Sequence, residues 1–331
     1  MIKRWALALV GLGFLASAAH ATPETVSVEL VKSIGQAPFY VAVGKGYFDQ
    51  AGIKIDSGDV RSALDAVASL ATGRLDVAIG AATAGFFNAA HRGFDLRVVA
   101  AMGIQGPLMA TQPLVRKALW ENGTIRSAKD LKGRKVAINA PGDITEYFLT
   151  LMLEKYGMEL KDVNLTPLGF AEQFVAFKNG AIDAGFLPEP LSTAAQMAGT
   201  VELLKPEAGI GAGTITTFVF YSEKFMHERP KVALDFLRAL VRAARETQGN
   251  YNQNPELAAM IAKQTGLKVE AVERCTPFAI DPNLDITKYE PGLRREESVM
   301  RKNGRLNYDK PLSFKNVIDA TLVHEAAASV K

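Results

Sequence analysis

Leu70-Ala71-Thr72-Gly73-Arg74-Leu75-Asp76-Val77-Ala78-Ile79-Gly80 and Phe177-Lys178-Asn179-Gly180-Ala181-Ile182-Asp183-Ala184-Gly185-Phe186 are two copies of one pattern. Each reads as a helix end, a glycine, an aspartate and a short apolar strand. Glycine suits the left-handed position that closes a helix. The apolar residues after it suit a strand buried on both faces. Both strands run out into loops, Ala81-Ala82-Thr83-Ala84-Gly85 and Leu187-Pro188-Glu189-Pro190. Ligands of open α/β sheets sit beyond the carboxyl ends of strands. Two such ends in two similar halves point to one ligand held between two lobes. Helix–glycine–strand junctions are common in any α/β protein, so the repeat alone leaves a chance likeness open.

The chain has 331 residues, enough for two domains of about 100–200 each. Hydrophobic residues make up 48% and charged residues 22%, an ordinary globular balance. Net charge is +3, and no lysine/arginine run interleaves with aromatics, which speaks against a nucleic-acid partner. Met1-Ile2-Lys3-Arg4, the apolar run Trp5 to Ala18 and Ala19-His20-Ala21 read as a secretory leader, residues 1–21, cleaved after Ala21. No cysteine stands near that cleavage point, so no lipid anchor is expected, and the mature chain is expected in the periplasm. Cys275 is the only cysteine, so no internal disulfide can form, and with no partner evident nearby it reads as a structural thiol.

Val26 to Val31 alternates as a first strand and leads through Ser33-Ile34-Gly35-Gln36 to a helix with Pro38 in its first turn. The second strand, Ile53-Lys54-Ile55, is followed by Arg61 and by Ser62, a helix cap. Arg61 at such a cap has the chemistry to clamp a carboxylate or sulfonate. Residues 22–104 plus 219–331 are assigned to lobe one and 105–218 to lobe two. In lobe two, Val136-Ala137-Ile138-Asn139 is a strand, and Ala140 to Thr145 is a turn that presents backbone N–H groups. Crossovers at Met102 to Pro107 and Gly211 to Tyr221 form a hinge. The C-terminal helices, including a face of Val232, Phe236, Leu240 and Ala244, are expected to return to lobe one. Glu290-Pro291-Gly292 reads as a turn, and 314–327 as one helix.

Ala37 to Ile53 (APFYVAVGKGYFDQAGI) closely resembles the opening of ABC-transporter solute-binding proteins, in the branch for nitrate, taurine, alkanesulfonates and thiamine precursors. Asp130-Leu131-Lys132-Gly133-Arg134-Lys135-Val136-Ala137 resembles the start of that family's second lobe, and the strand ending in Pro188-Glu189-Pro190 also fits. The resemblance implies a two-lobed α/β periplasmic-binding fold (class II), each lobe a mixed sheet flanked by helices, with two extended hinge crossovers. It implies ligand contacts at Gln36, Phe39, Arg61, Ser62, Ala82, Thr83, Asp143, Ile144, Thr145, Phe186 and Glu189, to which Thr214 on the second crossover is added. Many relatives place an aromatic where this chain has Leu187-Pro188.

The function expected from this is capture of a small organic anion, an organosulfonate or aromatic carboxylate, for an inner-membrane ABC permease. The chain is expected to be a monomer without cofactor or metal. Two other readings stand beside it. One is binding or synthesis of a pyrimidine or thiamine precursor on the same fold. Against the enzymatic form stand the leader and the absence of metal-ligand spacing, a Gly-x-Ser-x-Gly elbow and a P-loop. The other is a periplasmic sensor subunit, which needs the same closed shape.

Overall fold

The computed structural model describes residues 22–331 apart from Asp95 and Ala208. The leader expected at 1–21 lies outside the described residues. Two five-stranded mixed sheets form the two lobes. Strands are numbered β1 (Glu24–Leu30), β2 (Ile53–Asp59), β3 (Val77–Gly80), β4 (Leu96–Ala101), β5 (Gly103–Ile104), β6 (Thr111–Arg116), β7 (Lys135–Ile138), β8 (Asn164–Pro167), β9 (Ala184–Pro188), β10 (Val201–Leu203), β11 (Phe218–Ser222) and β12 (Ala279–Ile280). One sheet has the order β2-β1-β3-β11-β4 and the other β8-β7-β9-β6-β10. In each, three parallel strands are followed by one antiparallel strand that reaches it from the other lobe. The two copies of the opening pattern thus end in β3 and β9, the central strand of each sheet.

The aspartates of the pattern do the same job in both lobes. Asp76 accepts from Ser27 N on β1 (2.9 Å) and pairs with Arg229 (3.1 Å). Asp183 accepts from Lys135 N on β7 (3.1 Å) and pairs with Arg116 (3.1 Å). Each carboxylate anchors the start of the central strand to its parallel neighbour, at the end of the sheet opposite the cleft.

Strand β6 has no counterpart in the sequence reading, because Pro113 argues against a central strand. Pro113 stands where β10 has run out. Its carbonyl accepts from Leu204 N at 2.9 Å, and the return bond it cannot donate would lie beyond Leu203, the last residue of β10.

The crossovers run side by side. Met102 N donates to Thr217 O, Thr216 N to Gly103 O and Gln105 N to Thr214 O, each at 2.8 Å. β12, from the C-terminal part, pairs with β5 and adds a third passage at the hinge. The loop after β1 lies directly on it. A Cβ on Gly35 would stand 2.4 Å from Thr217 Oγ1, so only glycine permits that approach.

The helix Pro230–Glu246 buries Phe236, Leu237, Leu240 and Val241 in lobe one, where the Phe236 ring packs tilted against that of Phe48 (4.8 Å between centroids). Thr321–Ser329 packs on the same helix, Pro255–Thr265 packs on Ala37–Gly44, and Leu293, Met300, Phe314 and Val317 join Phe86 and Phe87 in the second lobe-one cluster. Most of the C-terminal part thus stays with lobe one, though not all of it. Glu290-Pro291-Gly292 is not a turn but the first turn of a helix, Glu290–Lys302, and proline is tolerated there because its missing N–H has no helical partner. This helix packs on the lobe-two helix Ile144–Glu154. The stretch read as one helix over 314–327 is a short turn of helix at Phe314–Asn316 and a separate helix Thr321–Ser329.

Candidate functional site

The carboxyl ends of the parallel strands of both sheets meet at a chamber between the lobes. Its polar lining is Ser33, Gln36, Thr111, Asn139, Asp143 and Thr216. Its apolar walls include Val31, Ile144, Phe170, Pro188 and Phe278. No lysine or arginine is among the described residues that line it. Four helices begin at this chamber. Gln36 precedes Ala37–Gly44, Ala63 opens Ala63–Ala71, Ile144 opens Ile144–Glu154 and Phe170 opens Phe170–Lys178. Four N-termini from two lobes thus open on the chamber with the positive ends of their dipoles, and the first-turn N–H groups Leu64 N and Ile144 N are already held by the capping side chains of Ser62 and Asp143.

The lobes are shut. Ser62 Oγ donates across the cleft to Asp143 Oδ2 at 2.6 Å. Asn139 Nδ2 donates to Asp143 Oδ2 and to Arg61 O, both at 3.1 Å. Ala84 N donates to Gly142 O, and Ile34 N to Glu189 O, each at 2.8 Å. The enclosed space is about 30 Å³, room for a water or two, so a larger solute is admitted only when the lobes part. Burial raises the Asp143 carboxyl above the ordinary aspartate range, against the hydrogen bonds from Ser62, Asn139 and Ile144 N that favour its charge. Asn139 Oδ1 is buried and has no partner among the described residues. An orphaned acceptor in a closed cleft marks where a ligand donor would fit.

A second, larger space of about 380 Å³ adjoins the chamber, with Val31 and Phe170 in the walls of both. The Arg61 side chain is here rather than in the chamber, 61% exposed and 3.8 Å from Glu172 of the other lobe.

Of the residues expected at the ligand, Gln36, Asp143 and Ile144 line the chamber, Ser62 latches it and Arg61 stands at its mouth. The others are placed otherwise. Phe39 is in the lobe-one core, its ring 5.7 Å from that of Phe48, because the first turn of its helix turns that position inward. Ala82 is buried in the same lobe, and Thr83 Oγ1 caps the helix Ala84–His91 by accepting from Phe86 N (3.2 Å). Gly80 and Ala81, two residues earlier, line the chamber instead. Thr145 Oγ1 accepts from Asn139 N at 2.8 Å and so shapes the turn from within. Phe186 faces the lobe-two core, while Pro188 of the same strand reaches the chamber. Glu189 is buried, accepts from Thr193 N and Thr276 N, and is pushed above the ordinary range by burial. Thr214 serves the hinge through its carbonyl. Cys275 is buried, and burial first, then the charge of Glu189, pushes its thiol up, the opposite of what a nucleophile needs. Sequence reasoning also missed Val31, Ser33, Ala63, Thr111, Asn139, Phe170, Thr216 and Phe278. Asn139, directly after an apolar strand and before a glycine-bearing turn, carried the one usable signal.

Gly142 sets how far the cleft can shut. Its φ is +70°, and a Cβ there would stand 2.5 Å from Ala84 Cβ in the other lobe. Gly142→Ala is expected to hold the lobes apart, seen as a larger radius of gyration in solution scattering of the ligand-free chain. An unchanged radius would show that the Ala84–Gly142 contact does not limit closure.

A profile of the NMT1/THI5-like family matches residues 34–254. A protein of Bacillus subtilis (strain 168) named for binding aliphatic sulfonates is 26% identical over 98% of this chain and 97% of its own. The riboflavin-binding protein RibY of Chloroflexus aurantiacus is 24% identical over 76% of this chain and 69% of its own. Among solved structures, the alkanesulfonate-binding protein SsuA of Xanthomonas axonopodis pv. citri, bound to MOPS, superposes with a TM-score of 0.72 at 20% identity, covering 90% of this chain and all of that one. The superposition shows a shared two-lobed fold. The profile covers more than half of the chain, and the chain belongs to the NMT1/THI5-like family.

Proposed function

We propose that this member of the NMT1/THI5-like family captures a small organic solute between its lobes and delivers it to the permease of an ABC importer, working in the periplasm after loss of residues 1–21. The names of its relatives, for sulfonates and for riboflavin, support solute binding rather than catalysis. The observation that carries the reading is the convergence of four helix N-termini on a chamber closed by both lobes. Helix N-termini stabilise an anion without a cationic side chain. With its pKa raised by burial, Asp143 opposes such an anion less than an ordinary aspartate would.

The solute proposed is an organic anion that also brings an N–H or O–H donor to Asn139 Oδ1. An uncharged heterocycle with N–H groups, the pyrimidine reading, meets the same acceptor but leaves the helix N-termini without an anion. Titration calorimetry of 2-aminoethanesulfonate against ethanesulfonate tests this. The aminosulfonate, whose ammonium supplies the donor while its sulfonate meets the helix N-termini, is expected to bind about 10- to 150-fold tighter, the range of a hydrogen bond to a charged group. Asn139→Leu is expected to erase that preference. Binding of an aminopyrimidine with neither sulfonate bound would favour the uncharged solute.

A further inference from the structure

We propose that the cleft shuts with uptake of protons, because closure carries the carboxyls of Asp143 and Glu296 out of water into one contact that gives neither an ion-pair partner. The shut form then gains as the pH falls and the open form as it rises. This is a regulation of the chamber and rests on the reading above for its use, though not for its test.

The helix Glu290–Lys302 has two faces. Leu293, Glu297 and Met300, three and four residues apart, turn to lobe one. Leu293 and Met300 join Phe86 and Phe87, and Glu297 accepts from Tyr308 Oη (3.0 Å) and Leu312 N (2.8 Å). Glu296, Val299 and the following Asn303 turn to lobe two, where the facing helix Ile144–Glu154 presents a polar stripe of Asp143, Glu146, Thr150 and Glu154. Three of these four are matched. Arg305 holds Glu146 at 2.8 Å, Asn303 Nδ2 donates to Thr150 Oγ1 at 2.9 Å, and Lys302 holds Glu154. Asp143 has instead the charge of Glu296 near it. An apolar face on one lobe and a polar face on the other decide which contact parts on opening. The helix stays with lobe one, and the polar stripe comes away into water.

In the shut form Glu296 is 0% and Asp143 3% exposed, and neither oxygen of Glu296 has a partner among the described residues. The surrounding groups do not neutralise the pair. Arg295, exposed on the same helix, offsets Glu296 in part, Asp65 of the helix Ala63–Ala71 adds a negative charge near Asp143, and Tyr147 is a buried phenol. The helix Ala84–His91 brings His91, stacked on Tyr308 at 4.2 Å, while Lys288 and Tyr289 bond to Asp281. Burial therefore holds both acids above their ordinary ranges. Returned to water, they ionise at ordinary values. The shut form thus keeps protons that the open form has lost. Its advantage is complete below the ordinary carboxylate range and falls as pH rises toward the raised values, by up to about tenfold in the shut-to-open ratio per pH unit for each proton.

Solution scattering of the ligand-free mature chain at pH 5, 6.5 and 8 reads the radius of gyration, with circular dichroism at each pH to show that the helices are kept. The wild-type radius is expected to grow with pH. Glu296→Gln, which has no proton to lose, is expected to stay more compact at pH 8 and to respond less. Asp143→Asn is expected to do the same from the other side of the contact, and decides the matter if the first variant does not fold. A wild-type radius that is constant with pH, or one that grows equally in the wild type and in each folded variant, would overturn the proton link. Solute capture is tested separately, by calorimetry at one pH, and stands or falls on its own.

Discussion

Arg305→Ala opens the cleft. Arg305 holds on to both lobes at once. Its carbonyl accepts from Asn88 Nδ2 of lobe one at 3.1 Å, and its guanidinium grips Glu146 of lobe two through Nε and Nη2, both at 2.8 Å. Glu146 is 1% exposed, so loss of the arginine leaves a carboxylate shut in without its partner. Breaking a buried pair from one side costs about 3–5 kcal/mol. Opening the lobes returns Glu146 to water, so the variant relieves the cost by opening rather than by unfolding. A penalty of about 3 kcal/mol shifts the shut-to-open ratio by roughly 150-fold. Solution scattering is expected to show a larger radius of gyration than wild type, with ligand affinity reduced and helical content kept. A variant as compact as wild type with the same affinity would show that the pair does not depend on closure.

Glu296→Gln stabilises the protein at neutral and higher pH and does little near pH 4. Glu296 stands on the helix Glu290–Lys302, fully buried, and neither carboxylate oxygen has a partner among the described residues. Burial above all, then the nearby charge of Asp143, raises its pKa well above the ordinary glutamate value, and Arg295 offsets this only in part. Tyr147 of the facing helix feels the same charge. The sign follows from linkage. In the unfolded chain the group ionises at its ordinary value. In the folded chain it keeps its proton to higher pH. Unfolding therefore releases a proton between the two values, and stability, complete below the unfolded value, falls as pH rises toward the folded one. The loss is about 1.4 kcal/mol for each pH unit inside that window. Glutamine copies the protonated acid and has no proton to lose, so the variant's stability is expected to fall less steeply by about one proton. Asp143, also raised by burial, keeps its own share of the slope. Denaturant melts at pH 4, 6 and 8 read the effect. Parallel curves for wild type and variant would show that Glu296 is not held protonated.

Much of the architecture is legible in the sequence, for local reasons. The two glycine–aspartate junctions stand at equivalent strands because the sheets share one strand order, although the aspartates' partners, Ser27 and Arg229 in one lobe and Lys135 and Arg116 in the other, lie far along the chain and are not part of the pattern. Ser62 and Asp143 are recognisable because a cap must stand where a strand runs into a helix, and those same places face the cleft. Two elements were hidden by proline. Pro113 disguises a central strand that is satisfied only because β10 stops beside it, and Pro291 disguises a helix start as a turn. The second matters more, since that helix carries Glu296, leads to Arg305 and ties lobe two to the C-terminal part. In the cleft, Phe39 and Phe186 are aromatic residues at positions that look exposed to a ligand, but the pleat and the helix turn them inward. Thr111, Thr216 and Phe278 are ordinary residues in their own segments. They meet only because three passages of chain cross at the hinge, and no local pattern encodes that meeting.

The central claim is that a solute bound between the lobes favours the shut form. It is tested most directly by melting-temperature shifts of the mature chain over alkanesulfonates, aminosulfonates, aromatic carboxylates, nitrate and aminopyrimidines. At a hundredfold excess over Kd a true ligand adds about 2.7 kcal/mol. At least one class is expected to raise the melting temperature with concentration, with the shift much reduced in Asn139→Leu. No shift with any class, or an equal shift in the variant, would contradict capture at this chamber.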